Sequence, residues 1–468
     1  MQSTALSLAA ILLLAGCTAK EPPVKEQSTE SAAVAEQKAE TAVALPVPPA
    51  MLNDLQRYPQ DARFYAENIE AKSVLLKAQK AFEAHWFAPW SYTKPPQRVE
   101  EVAWPFDSYR SDDAYGENLK PLPQEWFDAM HEEANFGAYG SVNRYAVSLH
   151  FSNLRNFPTH KPLFKNPSEA GEGFPFDYLQ NSGVHANEPL YVSHYSKSGA
   201  WVYVFSAYAT GWLPSHAIAY IAPEHARQWQ GAKQLFITKE QTPIRDAKGN
   251  FLFFGRIGMM LPLIAEDEET YHVLAVTTGP KNGPWYEEAR IEKSAASDEP
   301  LLLNYENLPS LANEMLSSHY GWGGLYEERD CSSTLRDLFA PFGIWLPRNS
   351  YQQSRVGRVI SFEGLSDAQK LERIKSDGVP FETLLYRKGH IVLYLGTYHG
   401  QVVILHNMWG VKTKNGEENG RKIVGRTVIS TLDIGAELPT YDTENALLTQ
   451  LESMNIITAP ALQKTAKR

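Results

Sequence analysis

Cysteine is almost missing from this chain of 468 residues: there are two, Cys17 and Cys331. With Cys17 inside the leader described below, Cys331 has no partner for a disulfide. A lone thiol in an oxidising compartment either acts chemically or packs as an inert small hydrophobe, and the count does not choose between them. Positive charge is also short. The formal net charge is −10 and no basic stripe is visible, so nucleic acid is not expected as a partner. No Cys-x-x-Cys or His-x-x-x-His pair occurs, so neither a metal nor another cofactor is expected. Residues 1–17 carry an apolar run too short to span a membrane as a mature helix.

What is present begins with that run. It has no Lys or Arg ahead of it and ends in Leu14-Ala-Gly-Cys17, which resembles the bacterial lipobox. The resemblance implies that Cys17 is acylated and becomes the new N-terminus. A plain secretory signal with an incidental cysteine is the alternative. Thr18 rather than Asp follows the cysteine, which by the same resemblance favours the outer membrane, facing the periplasm. Several acyl chains make such an anchor stable. Residues 18–50 are rich in Lys, Glu, Ala, Ser and Pro and read as a disordered tether.

The length calls for about three domains. Residues 51–140 read as a mainly helical N-terminal stabilising domain. Helical spacing runs through Ile69, Val74, Leu75, Ala78 and Phe82, followed by the aromatic patch His85–Trp90, and a second helix is expected over Pro123–Ala134. From 141 the pattern changes to short strands separated by polar turns. Residues 141–225 and 226–298 each fit a small β-barrel, and Pro189…Trp201 and Pro262…Tyr271 suggest a loose duplication. Both segments resemble bacterial SH3-like domains. Residues 299–440 place a helix from Cys331, stopped at Pro341, ahead of strands Gly389–Leu395 and Gln401–His406, an α+β order. Residues 441–468 read as a C-terminal tail containing a helix over Asn445–Met454.

The chemistry centres on Cys331. Asp330 is a suitable N-cap, and Leu335, Leu338 and Phe339 give the following helix a buried face. The sulfur then sits at the positive end of the helix dipole, which lowers a thiol pKa, and the first-turn N–H groups face any oxyanion. A base is also required. There are thirteen histidines, so one more proves nothing; two of them flank a loop over 396–400 between apolar strands. A hairpin symmetric about Tyr398 sets His390 opposite His406, with Cβ atoms about 5 Å apart. His390 is then the candidate general base and His406 the residue that orients it. Two unrelated surface-strand histidines are the competing explanation, and a one-residue slip separates the pair.

Tyr320-x-Trp-Gly-Gly, Asp330-Cys-Ser, Leu346-Pro-Arg-Asn-Ser350 with Gln353, Gly389–Gly396 and His406-Asn together resemble the NlpC family of papain-like cell-wall cysteine peptidases. The resemblance spans about 140 residues, and the preceding segments look like a multidomain lipoprotein branch of that family. It implies an α+β papain-like peptidase domain, preceded by two small SH3-like β-barrels and a mainly helical N-terminal domain. By position it implies Cys331 as nucleophile, His390 as base and His406 as orienting residue. Tyr320, Asp330 and Ser332 match positions that bind the free amine of an N-terminal L-alanine. An amine role for Asp330 competes with its N-cap role. Ser333 stands where the family more often has glycine.

The implied reaction is hydrolysis of the γ-D-glutamyl–diaminopimelate bond in peptidoglycan stem peptides, with a preference for a free N-terminal L-Ala. The expected partners are those peptides and, through the lipid anchor, a membrane; a monomer is expected. The alternative is a catalytically silent wall-binding lipoprotein whose barrels hold peptidoglycan. Acyl transfer on the same fold is a third option.

Overall fold

The computed structural model describes residues 51–459, apart from 67–71, 73–75 and 280–282. Cys17, the 18–50 tether, residues 69, 74 and 75 of the first expected helix, and 460–468 lie outside the described residues. Among the described residues no helix is long and apolar enough to cross a membrane.

The N-terminal segment is helical in short pieces. Asp61 caps a single 3-10 turn over Ala62–Tyr65, and an α-helix then covers Leu76–Trp86. Phe82 and Trp86, one turn apart, share a face and stack at 6.3 Å between ring centroids. Phe82 also meets Phe236 of the second barrel and Trp345 of the third unit. Trp90 donates its indole N–H to the Ala146 carbonyl of the first barrel. The second helix, Gln124–Ala134, stops where Asn135 turns left-handed, at φ 48°.

The two barrels share a topology that their sequences barely show. Each is a seven-stranded antiparallel sheet, over Arg144–Tyr220 and Gln234–Ser297. Numbering strands within each barrel, both run 3-2-6-5-4-1-7. The duplication therefore lies in strand order rather than in residue spacing.

The third unit is α+β. Its sheet runs, edge to edge, Arg358–Ser361, Ser453–Ile456, Thr383–Arg387, His390–Tyr398, Gln401–Asn415 and Glu418–Thr431. Cys331–Phe339 is a fully buried helix. Leu335, Leu338 and Phe339 pack with Leu393, Leu405 and Ile429 of the sheet. A 3-10 turn containing Pro341 follows, and Gly343, at φ 69°, ends it.

Two expectations fail here. The segment from 441 is not a tail with a helix over Asn445–Met454: Ser453–Ile456 is an inner strand, hydrogen-bonded to both neighbours. Leu448, Leu451 and Met454 have helical spacing, but they fill the core on that face of the sheet. Two open strand edges offer more backbone pairing than a lone helix does, so tertiary context overrides local periodicity. The hairpin register also differs. The turn is His399-Gly400, with both residues at positive φ, and Leu393 pairs Leu405. A register shift between Tyr394 and Gly396 accompanies this. His390 and His406 are thus diagonal rather than directly opposed. The offset is even, so they keep a common face.

Candidate active site

Asp330 ends the loop before the catalytic helix and caps it, accepting the Ser333 backbone N–H at 2.8 Å. Ser333 returns the bond through its hydroxyl, which takes the Asp330 N–H at 2.9 Å. Arg348 grips the carboxylate at both oxygens, at 3.2 and 2.7 Å, and reaches Ser332 Oγ at 3.0 Å and Ser182 Oγ of the first barrel at 2.8 Å. Burial opposes the charge, but Arg348 and these hydrogen bonds outweigh it and hold the carboxyl below its usual range. Oδ1 is saturated, whereas Oδ2 has Arg348 as its one hydrogen-bond partner. The N-cap role is therefore occupied, and an ammonium reaches this carboxylate only through Oδ2.

Cys331 opens the helix, 9% exposed. Burial, then the neighbouring Asp330 charge, pushes its thiol up to about 12; the Ile391 and Ser332 backbone N–H groups, which point at the sulfur, pull the other way. The dipole effect expected from sequence is thus outweighed. Burial likewise pushes His390 down to about 4. Each charge is costly alone, so thiolate and imidazolium form together or not at all.

The two imidazoles make a relay whose polarity can be read. His390 Nε2 lies 3.0 Å from His406 Nδ1, and His406 Nε2 lies 3.0 Å from Ser430 Oγ. The Ser430 hydroxyl donates its proton to the Thr431 carbonyl at 2.9 Å. With its proton there it accepts from His406, an assignment that places hydrogen on His406 Nε2 and a lone pair on Nδ1. His390 then donates from Nε2, leaving Nδ1 as a free base. Ser430 has no signal in the sequence; only the pairing of Leu405 with Ile429 brings its strand alongside. Asn407 follows His406 on the same strand. Its amide holds the Arg329 carbonyl at 2.8 Å, tying the His406 strand to the loop that carries Cys331.

The glycine-rich stretch is a docking seam. Gly324 has φ 91°, and a Cβ there would stand 2.5 Å from the Gly183 nitrogen of the first barrel. Gln180 donates to the Gly323 carbonyl at 3.1 Å, and the Trp322 indole donates to the Asp177 carbonyl at 3.0 Å.

Two hollows meet at the sulfur. One, of about 260 Å³, is walled by His390, His406, Tyr320 and Trp409 with Phe176 and Tyr178 of the first barrel. The other, an open groove of about 770 Å³, runs past Ser332 and Arg348 beneath Tyr92, Trp104 and Tyr109 of the N-terminal domain. All six residues singled out around Cys331 in the sequence border one or both. Among the described residues the second barrel lines neither hollow. It supports the site from behind: Glu240 pairs with Arg329 at 2.8 Å and with Arg256 at 3.0 Å. Among the described residues no cluster of three His, Cys, Asp or Glu is placed to hold a metal.

Comparison with known proteins accounts for most of the chain. Residues 6–139 match the NLPC_P60 stabilising domain, 162–214 an SH3 domain of SH3b1 type, 224–268 an SH3 domain of SH3b2 type, and 317–422 the NlpC/P60 family. A solved NlpC/P60 endopeptidase from Photobacterium damselae subsp. piscicida is 23% identical, with 86% of this chain and 98% of that one covered. Its TM-score of 0.74 makes the likeness one of fold. An NlpC/P60 family protein from Bacillus cereus is 18% identical over 60% of this chain and 83% of its own, with a TM-score of 0.41. No curated protein matches the chain.

Proposed function

The chain belongs to the NlpC/P60 family of peptidoglycan-hydrolysing cysteine endopeptidases, with an N-terminal stabilising domain and two SH3b domains ahead of its papain-like catalytic domain, and from this we propose that it cuts the γ-D-glutamyl–diaminopimelate bond of stem peptides. The observation that carries the reading is the set Cys331, His390 and His406 around one cavity, with Ser430 buried behind His406.

The Cys331 proton passes to His390 Nδ1 as the sulfur attacks the γ-carbonyl carbon of D-glutamate. The imidazolium is supported from behind by the His406 lone pair, and His406 by Ser430. The Ile391 and Ser332 N–H groups steady the thiolate. The Cys331 N–H, the first-turn donor not committed to Asp330 or to the sulfur, faces the developing oxyanion. His390 then returns its proton to the departing amine of diaminopimelate, leaving a thioester on Cys331. Water, deprotonated by His390, releases the L-Ala-D-Glu product and restores the thiol.

The groove toward Ser332 and Arg348 receives the acyl side. Tyr92, Trp104 and Tyr109 stand over it, which supports a preference for short, freed stems over glycan-linked ones. Tyr320, Asp330 Oδ2 and Ser332 are the proposed contacts for the free L-Ala amine. Equal cleavage of free and glycan-attached stems would remove this preference. We also propose that Cys17 is acylated and anchors the chain at the outer membrane; Cys17→Ser should then release it from the membrane fraction.

Product analysis tests the reaction. The tetrapeptide L-Ala-γ-D-Glu-diaminopimelate-D-Ala should yield L-Ala-D-Glu and diaminopimelyl-D-alanine. No cleavage of any muropeptide, free or crosslinked, would discard the reading, and binding to sacculi without turnover would favour the silent wall binder.

A further inference from the structure

The cavity on the His390 side carries more positive charge than the chain itself neutralises. Arg387, Lys412 and Arg421 all border it. Among the described residues none of the three is within ion-pair distance of a carboxylate. Burial lowers all three pKa values, and Arg421 lowers those of Arg387 and Lys412 further. Arg387 gives Nη1 to the Asn445 carbonyl at 3.1 Å, and Lys412 gives Nζ to Asn445 Oδ1 at 3.4 Å. Arg421 Nε is buried and has no hydrogen-bond partner.

Asp442, on the cavity wall, and Glu172 offset part of this charge, but among the described residues neither pairs directly with any of the three. Asp442 holds the Asn445 backbone and side-chain amides at 3.2 and 2.8 Å, and Glu172 accepts the Tyr178 hydroxyl at 2.9 Å. Space for Arg421 is built in as well. Gly171 lies against the guanidinium at φ 90°, and a Cβ there would stand 2.0 Å from a terminal nitrogen. Three half-buried cations held together against their mutual repulsion, with a donor left unmatched, form a site prepared for an anion.

Position says which anion. His390 must hand its proton to the leaving amine, so the departing half of the substrate lies over His390, on the cavity side. In the proposed reaction that half is a diamino acid and its C-terminal neighbour, both of which carry carboxylates. Trp409 and Phe176 give the same cavity apolar walls. We propose that Arg421, with Arg387 and Lys412, forms a subsite for the carboxylates of the departing peptide. Arg421 presents planar donors, and the other two add flanking charge. This assignment rests on the reaction proposed above. It predicts poor use of stem peptides whose carboxylates are amidated.

The test uses the product rather than turnover. The full chain is titrated calorimetrically with diaminopimelyl-D-alanine and with its diamide. The acid should bind about tenfold tighter or more, as expected for charge-assisted hydrogen bonds, with the difference shrinking at high salt. Arg421→Gln and, separately, Arg387→Gln should each remove most of that difference while leaving diamide binding unchanged. Equal binding of acid and diamide, no binding of either at millimolar concentration, or equal weakening of both by the substitutions would overturn the subsite. Loss of the proposed cleavage with acid-selective binding intact would instead remove the reaction and keep the anion site.

Discussion

Two clusters of charge flank the catalytic helix, and they are built on opposite rules. Behind it, Arg329, Arg336 and Arg256 meet Asp337, Glu240 and Glu188 where both barrels join the catalytic unit. Asp337 bridges Arg329 and Arg336, each at 2.7 Å, while Glu240 bridges Arg329 and Arg256. The Arg336 guanidinium also stacks 3.8 Å above the Tyr208 ring. In front, Arg387, Lys412 and Arg421 have no carboxylate partner among the described residues. Hydrogen-bond saturation does not separate the clusters, since Nη1 of both Arg329 and Arg336 is also unmatched. Charge balance does. A buried cation facing a buried carboxylate fixes the relation of two domains, whereas surplus cations at a cavity wall are matched by what binds there.

If this contrast is right, removing one charge from each cluster has different consequences. Asp337→Asn strands the buried Arg336 guanidinium and leaves Arg329 with Glu240 alone, so it should cost about 3–5 kcal/mol and lower Tm markedly. Arg421→Gln should leave Tm unchanged or slightly higher, because it relieves repulsion, while raising KM for acidic stem peptides. Equal Tm losses in the two variants would erase the distinction.

The rear cluster should also titrate. Burial, opposed by Arg336, raises the Glu188 carboxyl to about 7 from 4.5. Its folded-state value lies above the unfolded one, so its stabilising contribution is complete below pH 4.5 and disappears as pH rises through 7. Glu188→Gln should flatten the fall in Tm across that window. A wild-type profile already flat there would place the Glu188 proton elsewhere.

The relay offers a test smaller in stability and sharper in chemistry. Ser430→Ala removes the acceptor that sets the His406 tautomer. It should lower kcat about tenfold or more with little change in KM, and shift the acidic limb of the pH–rate profile. Ser430→Thr should rescue it. A parallel fall in Tm and kcat would mark Ser430 as structural only.

How much of this was legible in the sequence follows the range of each interaction. Cys331 with Asp330 is a local signal, a cap next to its helix, and His390 with His406 lies within one hairpin. Parity survived the misjudged register because the offset was even, so the common face was readable although the pairing was not. The shift between Tyr394 and Gly396 leaves no residue pattern to detect. Ser430 and Arg421, both on Glu418–Thr431, and the Ser453–Ile456 strand reach the site or its sheet from outside that hairpin. Their relation to Cys331 exists only after the sheet is assembled. The N-cap of Asp330 was legible, but Arg348 as its counter-ion was not, and the thiol's direction of shift was misjudged because sequence shows the dipole and hides the burial.

The central claim is that one sulfur does the chemistry. The most direct measurement compares full-length wild type and Cys331→Ala on L-Ala-γ-D-Glu-diaminopimelate-D-Ala by mass spectrometry, with thermal unfolding recorded for both. The account predicts L-Ala-D-Glu from the wild type, none from the variant, and matching unfolding curves. Release of that dipeptide by the variant at the wild-type rate would contradict it.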